Sequence, residues 1–288
     1  MRRHLLPLLA LTACLAASTA FASEPLHLVI MAPTDPAKEL PKYEVLSAYL
    51  QAAEPQLGGI TLRVAKNYSE AARLFKSGDV EGMFSGSFVA AVFIGKGLAR
   101  PVARPLRTDG SSTYRASIVA KDGARAFGSL ADFKGKRVAA CPLATAGEVF
   151  LRALLDPGQK PESVYIPVPV DSHQQALEAV LSGAADYAVV KSTIFAPEGY
   201  PGLTVVGMQA AGNPDTTLIM PSRVFERIGP AVSRALLGLE TDTGEKARAV
   251  KEAFGCTGFI ATTGTDFEPT FSIMRRAGVD LRTFDFAF

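Results

Sequence analysis

The sequence has few of the residues on which metal and redox chemistry depend. Its 288 residues include 3 cysteines, 3 histidines and no tryptophan. Cys14 and His4 lie in an N-terminal segment that we predict is removed, so two cysteines and two histidines remain. Two histidines are too few for a histidine-rich zinc or iron site, and no Asp-x-Asp-x-Asp loop supports a calcium site. We therefore expect no metal and no cofactor, and the cysteine spacing supports no disulfide.

A strong charge of either sign is also lacking. The chain has 30 Lys and Arg residues against 28 Asp and Glu residues. Arg2 and Arg3 fall in the segment predicted to be removed, so the remainder is formally neutral, with 28 charges of each sign. This balance argues against a protein that binds nucleic acid or an anionic membrane. The 48% hydrophobic and 20% charged composition is typical of a globular protein. The length fits one large domain or two of ordinary size.

The N-terminus has the pattern of a secretory signal peptide. The basic residues 1–4 precede an apolar stretch over 5–17, and Ala20-Phe21-Ala22 is a small-x-small cleavage site. We predict a signal peptide over 1–22 and an exported mature protein. The alternative is a lipoprotein box ending at Cys14, whose lipidation would anchor the protein to a membrane. The apolar run before Cys14 is short for that, and the residues after it are not the usual polar tether.

Apolar runs and helical periodicities alternate along the mature chain, which predicts an α/β fold with mostly parallel sheets and helices on both faces. The predicted strands are 27–32, 60–65, 80–84, 114–120, 136–141, 163–168 and 186–190. The predicted helices are 41–53, 69–77, 145–155 and 172–182, and the tail from 222 is mainly helical. A helix–glycine–strand corner at 74–80 is echoed at 181–187. The echo indicates two similar lobes, although such corners occur in any α/β protein.

Four segments, taken in order, resemble one known family. They are Asn67–Val80, Ser112–Val119, Leu130–Ala139 and His173–Asp186. They are similar to the phosphonate, phosphite and phosphate-binding family of ABC-transporter periplasmic substrate-binding proteins. The resemblance implies the type II periplasmic binding protein fold. In that fold each lobe is a mostly parallel sheet flanked by helices, and the ligand cleft lies between the lobes.

The resemblance also implies a domain organisation and a partner. Residues 23–113 and the mainly helical 212–288 would form the first lobe, 114–211 the second, with crossovers near 111–117 and 208–215. The implied function is to capture a small oxyanion by hinge closure and to deliver it to an ABC permease at the inner membrane. We expect a periplasmic monomer that binds no nucleic acid.

Two other functions stay open from the sequence. The same closed shape could signal to a sensor kinase, with a thiophilic oxyanion such as arsenite as the ligand. An exported hydrolase is the second, but the chain has no Gly-x-Ser-x-Gly elbow, Ser-x-x-Lys pair or P-loop. We expect a binding protein and not an enzyme.

The loop 141–147 is the candidate oxyanion site, because a helix N-terminus offers unpaired amides and a positive dipole end. The family's loop is typically Asp-Pro-x-Ser-Thr-Ser-Gly. Here the proline, threonine and glycine are kept, but a cysteine replaces the acid and alanines replace both serines. These positions are Cys141, Pro142, Ala144, Thr145, Ala146 and Gly147. The alternative is a capping box, in which Thr145 and Glu148 only satisfy amides of their own helix.

Cys141 departs from the family's pattern. A thiol at a helix start has its thiolate favoured, so Cys141 could bind arsenite. The alternative is a small buried side chain at the end of a strand.

Polar residues elsewhere complete the candidate site. His173 begins a predicted helix, where the dipole favours a neutral ring that can donate one hydrogen bond. Tyr68 and Tyr114 match the tyrosines with which the family contacts phosphonate, and a phenol supplies an O–H donor. Ser85 and Ser87 follow a strand and are expected on the rim of the first lobe.

Asp215 lies where the chain should cross back to the first lobe. It could pair with an ammonium group of the ligand, or it could simply fix the turn at the crossover.

Overall fold

The computed structural model describes residues 25–31 and 36–288. The predicted signal peptide and the lipidation candidate Cys14 lie outside these residues. Among the described helices, none has the length and apolar character needed to cross a membrane.

The described residues form strands and helices in an alternating order, numbered here along the chain. The strands are β1 Leu26–Met31, β2 Ile60–Ala65, β3 Gly82–Ser85, β4 Ala99–Arg107, β5 Thr113–Tyr114, β6 Ala116–Lys121, β7 Arg137–Ala140, β8 Ile166–Pro169, β9 Tyr187–Lys191, β10 Leu203–Met208, β11 Asn213–Pro214, β12 Thr217–Pro221 and β13 Cys256–Ala261. The helices are α1 Pro36–Ala53, α2 Tyr68–Ser77, α3 Ser87–Gly95, α4 Phe150–Leu154, α5 His173–Leu181, α6 Ser222–Gly238, α7 Glu245–Phe254 and α8 Glu268–Arg276.

The strands form two large sheets. The first sheet has the order β13-β4-β12-β3-β1-β2 and the second has the order β10-β6-β9-β7-β8. Within the first sheet β1 pairs in parallel with β2 and β3, whereas β12 and β13 pair antiparallel to their neighbours. Within the second sheet β7 is parallel to β8 and β9, and β6 is antiparallel to β9 and β10. Both sheets are therefore mixed rather than mostly parallel.

The antiparallel strands come from the path of the chain. The chain leaves the first sheet after β4 and returns to it at β12, so β12 enters between β4 and β3 in the reverse direction. The two crossing segments pair with each other in a short ladder, in which Tyr114 faces Asn213 and Thr113 faces Pro214. The ladder joins the two sheets at one position.

The helices cover both sheets and bury an apolar face against each. One core lies between the first sheet and α1, α6 and α7, and another lies on its opposite face beneath α2, α3 and α8. The second sheet has a core on each face as well. Helix α8 also packs against α4, which flanks the second sheet, so the C-terminal segment contacts both halves of the molecule.

Helix α1 and the C-terminal segment differ from the sequence prediction. Helix α1 begins at Pro36, so Pro41 lies inside it rather than in its first turn. The C-terminal segment, predicted to be mainly helical, also contributes the edge strand β13.

Candidate functional site

The N-termini of α2 and α5 face each other across the gap between the two sheets. Asn67, which caps α2, donates from Nδ2 to Oδ1 of Asp171, the residue two before α5, at 2.9 Å. The first residues of the two helices also meet, with Tyr68 Oη 3.4 Å from His173 Nε2. Both helices direct the positive ends of their dipoles toward this contact, which favours an anion between them.

His173 is buried beneath this contact. Its Nδ1 lies 3.8 Å from Cys141 Sγ, so the ring has a neighbour on each nitrogen. Burial, with a smaller contribution from Lys191, lowers the pKa of His173 to about 3. The neutral ring expected from the sequence is confirmed, but desolvation is its main cause. A neutral ring keeps one N–H to donate.

Tyr114 and Ser87 form a buried chain of hydroxyls. The hydroxyl of Ser87 donates to the carbonyl of Pro214 at 3.1 Å and lies 2.5 Å from Tyr114 Oη. Ser87 has a single hydroxyl proton, so while that proton is donated to Pro214 the hydrogen bond between the two hydroxyls is donated by Tyr114. Burial raises the pKa of Tyr114. The proton of Tyr114 is therefore used within the protein, so Tyr114 supplies an acceptor rather than a free donor. Ser85 donates to the carbonyl of Gly86 at 3.1 Å and is also buried.

The loop after β7 does not form the predicted capping box. Residues Thr145–Val149 make an irregular, kinked turn before α4, in which Ala146 and Gly147 are not helical and no side chain caps the turn. Glu148 instead accepts from the amide of Leu143 at 3.1 Å and pairs with Arg152. The capping alternative was wrong because the backbone of Ala146 and Gly147 is not helical, so no helix begins at Thr145 for its side chain to cap.

The Thr145 hydroxyl is therefore not used as a helix cap. Its buried Oγ1 is close enough to Tyr114 to favour ionisation of that phenol, but it makes no hydrogen bond of normal geometry with any described residue. The backbone amides of Thr145, Ala146 and Gly147 donate none of the backbone hydrogen bonds that the described residues form outside helices and strands. Gly147 is required here, because a Cβ atom would lie 2.7 Å from the carbonyl oxygen of Cys141. The turn thus places the Thr145 hydroxyl and the amides 145–147 together in one buried region.

The structure corrects the expectation for Cys141. The side chain is fully buried, and burial raises the pKa of the thiol well above its ordinary value. The premise that the helix start favours a thiolate was wrong, since desolvation outweighs the dipole. Cys141 is a neutral thiol that packs against His173.

Asp215 is occupied by two cations. Its Oδ2 accepts from Arg107 Nε at 2.8 Å and lies 2.7 Å from Nη2, and its Oδ1 contacts Lys191 Nζ. The amide of Thr216 donates to Oδ1 at 2.6 Å. Burial opposes ionisation, but Lys191 and Arg107 hold the pKa of Asp215 well below its ordinary value. The carboxylate therefore fixes the crossover and has no free position for a ligand ammonium.

A cavity of about 290 Å³ opens from the contact between Tyr68 and His173. Asp215 also lines it, whereas Ser85, Ser87, Tyr114 and the turn 144–147 are buried and do not. The remaining lining residues come from both halves of the molecule. They are Ile30, Met31, Lys42, Tyr43, Phe84, Gly86, Pro105, Arg107, Gln174, Lys191, Thr193, Ile194, Thr216, Glu252, Ala253, Phe254 and Gly255.

Arg107 and Lys191 are site residues that were not predicted from the sequence. Each is the last residue of a strand, β4 and β9 respectively. In open α/β sheets ligands bind beyond the carboxyl ends of the parallel strands, so a lysine that ends an apolar strand was a usable signal. Lys191 Nζ also lies 4.6 Å from the centroid of the Tyr114 ring. Among the described residues, no group of three or more His, Cys, Asp or Glu side chains is arranged to hold a metal ion.

Several solved structures have a similar fold. A binding-protein component of an ABC phosphonate transporter from Pseudomonas aeruginosa is 13% identical over 89% of this chain and 87% of that chain, with a TM-score of 0.75. PhnD1 from Prochlorococcus marinus in complex with methylphosphonate is 14% identical over 88% and 98%, with a TM-score of 0.73. A Xanthomonas citri protein bound to ATP is 16% identical over 89% and 96%, with a TM-score of 0.68. No curated protein sequence matches the chain.

A family model matches residues 29–267 and is described as ABC transporter, phosphonate, periplasmic substrate-binding protein. Members of this family are periplasmic binding components of transporters rather than enzymes, which implies a small ligand and a permease partner. By this match the chain belongs to the phosphonate ABC-transporter family of periplasmic substrate-binding proteins, with that family's two-lobed α/β fold.

Proposed function

We propose that this chain captures a small phosphonate-like oxyanion by closing two lobes around it and delivers the anion to an ABC permease. Residues 23–113 with 212–288 form one lobe in this proposal, and 114–211 form the other. The supporting topology is that the chain crosses between the sheets twice, through the paired strands β5 and β11.

One observation carries the proposal. The contact between Tyr68 and His173 places the starts of α2 and α5 together, and the buried Thr145 hydroxyl beside Tyr114 has no hydrogen-bond partner among the described residues. Hydrogen-bond donors that are buried without acceptors cost free energy, which an anion can recover. The neutral His173 adds a donor without bringing a fixed charge.

Closure follows from where the contacts lie. The contacts Asn67–Asp171 and Tyr68–His173 join helices that flank different sheets, so they form only when the lobes are together. An anion held from both sides stabilises that state, because a ligand shifts an equilibrium toward the conformation it binds better. The closed shape is what a permease would recognise.

The test is thermal unfolding of the mature chain with phosphate, phosphite, methylphosphonate, 2-aminoethylphosphonate, sulfate and arsenite. Stabilisation that saturates with a phosphorus oxyanion supports the proposal, since binding to the folded state raises Tm with concentration. A matched chloride series controls for ionic strength. If no oxyanion raises Tm, the proposed function is wrong. Turnover of any of these compounds would also overturn it in favour of an enzyme.

The ligand's size is a separate question from the fold. The similar structures bind methylphosphonate in one case and ATP in another. The shape and polarity of the cavity beyond the contact of Tyr68 and His173 therefore determine which kind of oxyanion fits.

A further inference from the structure

The deep wall of the cleft cavity carries a net positive charge. Lys42 and Glu252 line the cavity but are exposed, so solvent screens both charges. Deeper in the cavity, Arg107 and Lys191 face one acid among the described residues, Asp215. Two cations against one carboxylate leave one positive charge on this wall.

Asp215 cannot receive a further cation without losing one that it holds. Both of its oxygens already accept from Arg107, Lys191 and the amide of Thr216. A ligand ammonium would have to displace Lys191 or Arg107, or lie beside both as a third positive charge. The wall therefore disfavours ligands that carry an ammonium group.

The cavity is also larger than an inorganic oxyanion needs. Its 290 Å³ equals the liquid volume of about ten water molecules. Beyond Tyr68 and His173 its walls are mainly apolar, with Tyr43, Phe84 and Phe254 on one side. Such walls suit an organic substituent.

Two residues that line the cavity each have a buried polar atom without a hydrogen-bond partner among the described residues. The atoms are Oε1 of Gln174 and Oγ1 of Thr193, both on the side of the second sheet. A hydroxyl can donate to a ligand, and an amide can present either its oxygen or its NH2 group by rotation. These atoms indicate a substituent that forms hydrogen bonds.

We propose that the ligand is an organic oxyanion whose substituent carries a second acidic group and no ammonium. In this arrangement the oxyanion lies against Tyr68 and His173, and the second acid faces Arg107 and Lys191. The inference rests on the proposed function, since it requires an oxyanion at the contact between Tyr68 and His173.

Three phosphonates of matched length test the inference by calorimetric titration of the mature chain. They are 3-phosphonopropionate, propylphosphonate and 2-aminoethylphosphonate, which differ only in the group at the far end. We expect the carboxylate compound to bind about tenfold more tightly than the propyl compound, as for one charge-assisted hydrogen bond. We expect the ammonium compound to bind about tenfold more weakly than the propyl compound, because a third cation joins the wall.

Lys191→Met in the same titrations should remove most of the preference for the carboxylate while propylphosphonate still binds. Lys246→Met is the matched control, because Lys246 is exposed on α7 and does not line this cavity. If Lys191→Met does not fold, Arg107→Met tests the same charge.

The possible failures are distinct. Equal binding of the three compounds, or tightest binding of 2-aminoethylphosphonate, overturns this inference and leaves the proposed function standing. No binding of these compounds or of any inorganic oxyanion overturns the proposed function itself.

Discussion

Tyr68 Oη lies 3.4 Å from His173 Nε2, although 105 residues separate them in the sequence. The contact exists because each residue begins a helix, and the two helices flank different sheets. Burial disfavours the charged form of both side chains, since it raises the pKa of Tyr68 and lowers that of His173. Both groups are neutral donors or acceptors at neutral pH, which suits them to hold an anion without an opposing fixed charge.

The two tyrosines of the site should differ in their effect on binding. Tyr68→Phe is expected to weaken binding of a phosphorus oxyanion about tenfold, as for one hydrogen bond to a charged group. Tyr114→Phe is expected to change the dissociation constant less than about threefold, because Tyr114 donates its proton to Ser87. Calorimetric titration of both variants measures the difference.

Tyr49→Phe is the control for this pair, since the Tyr49 hydroxyl donates to the carbonyl of Ala235 at 3.1 Å, away from the cavity lining. It should leave the dissociation constant unchanged. A larger loss of affinity in Tyr114→Phe than in Tyr68→Phe would show that the hydroxyl chain has been assigned in the wrong direction.

Thr145→Val should raise the stability of the unliganded protein and weaken the ligand complex. The buried Thr145 hydroxyl has no partner among the described residues, so replacing it with a methyl group removes an unpaired polar group. We expect a gain of about 1 kcal/mol in the free energy of unfolding and about a tenfold loss of affinity. Denaturant unfolding and calorimetric titration measure the two effects.

Thr270→Val is the matched control, because the equally buried Thr270 hydroxyl donates to Asn213 Oδ1 at 3.1 Å. It should lose about 2 kcal/mol of stability instead, since the Asn213 oxygen is left unpaired. Destabilisation of Thr145→Val by a similar amount would mean that the Thr145 hydroxyl is satisfied in the unliganded protein.

The stability of the unliganded chain should fall between neutral and acidic pH because of His173. The folded-state pKa of about 3 lies below the ordinary value of 6.5, so the unfolded chain takes up a proton first as the pH falls. The effect of His173 on the free energy of unfolding is constant above about pH 6.5. Below that, stability is lost progressively down to about pH 3, and the loss between pH 7 and pH 5 is about 2 kcal/mol. Denaturant unfolding at the two pH values measures it.

His173→Asn should reduce that pH dependence by the same amount, whereas His27→Asn, which keeps His173, should retain it. An unchanged slope in His173→Asn would show that the imidazole is protonated in the folded state. That result would also remove the neutral donor from the proposed site.

The sequence was most informative where one element determines its own structure. Strand β2 was predicted at 60–65 and is found as Ile60–Ala65, because an alternation of apolar and polar residues bounded by glycine and lysine is typical of a strand. Strand β4 was missed because Pro101 and Pro105 interrupt its pattern, and proline is depleted within sheets. Beside Pro101 the register with β12 shifts between Leu218 and Ile219, so the ladder is irregular there.

The site was predicted less completely than the fold. The resemblance indicated Tyr68 and His173, and the structure brings them together. The roles of Asp215 and Cys141 depended on neighbours that no local pattern contains. Asp215 pairs with Arg107, 108 residues earlier, and Cys141 is buried because its loop packs against the core beneath α2, α3 and α8. Such long-range contacts set both charges and cannot be read from spacing.

The last residue of the chain is expected to help hold the two halves together. The ring of Phe288 stacks on Phe88 of α3 with a centroid distance of 5.8 Å, and the guanidinium of Arg152 on α4 lies 4.3 Å from its centroid. A double-mutant cycle with Arg152→Met and Phe288→Leu should give a coupling of about 0.5–1 kcal/mol in the free energy of unfolding. Because α3 and α4 flank different sheets, losing this contact should also weaken ligand binding, by at most about fivefold.

The pair Arg100 and Phe225 provides the matched cycle, with the guanidinium 4.1 Å from the ring centroid and both residues on the side of the first sheet. Its loss should cost similar stability and leave the ligand dissociation constant unchanged, because no contact between the two halves is broken. Equal effects of the two cycles on ligand binding would mean that the contact of Arg152 with Phe288 persists when the lobes open. The aromatic C-terminus would then stabilise the fold without favouring the closed state.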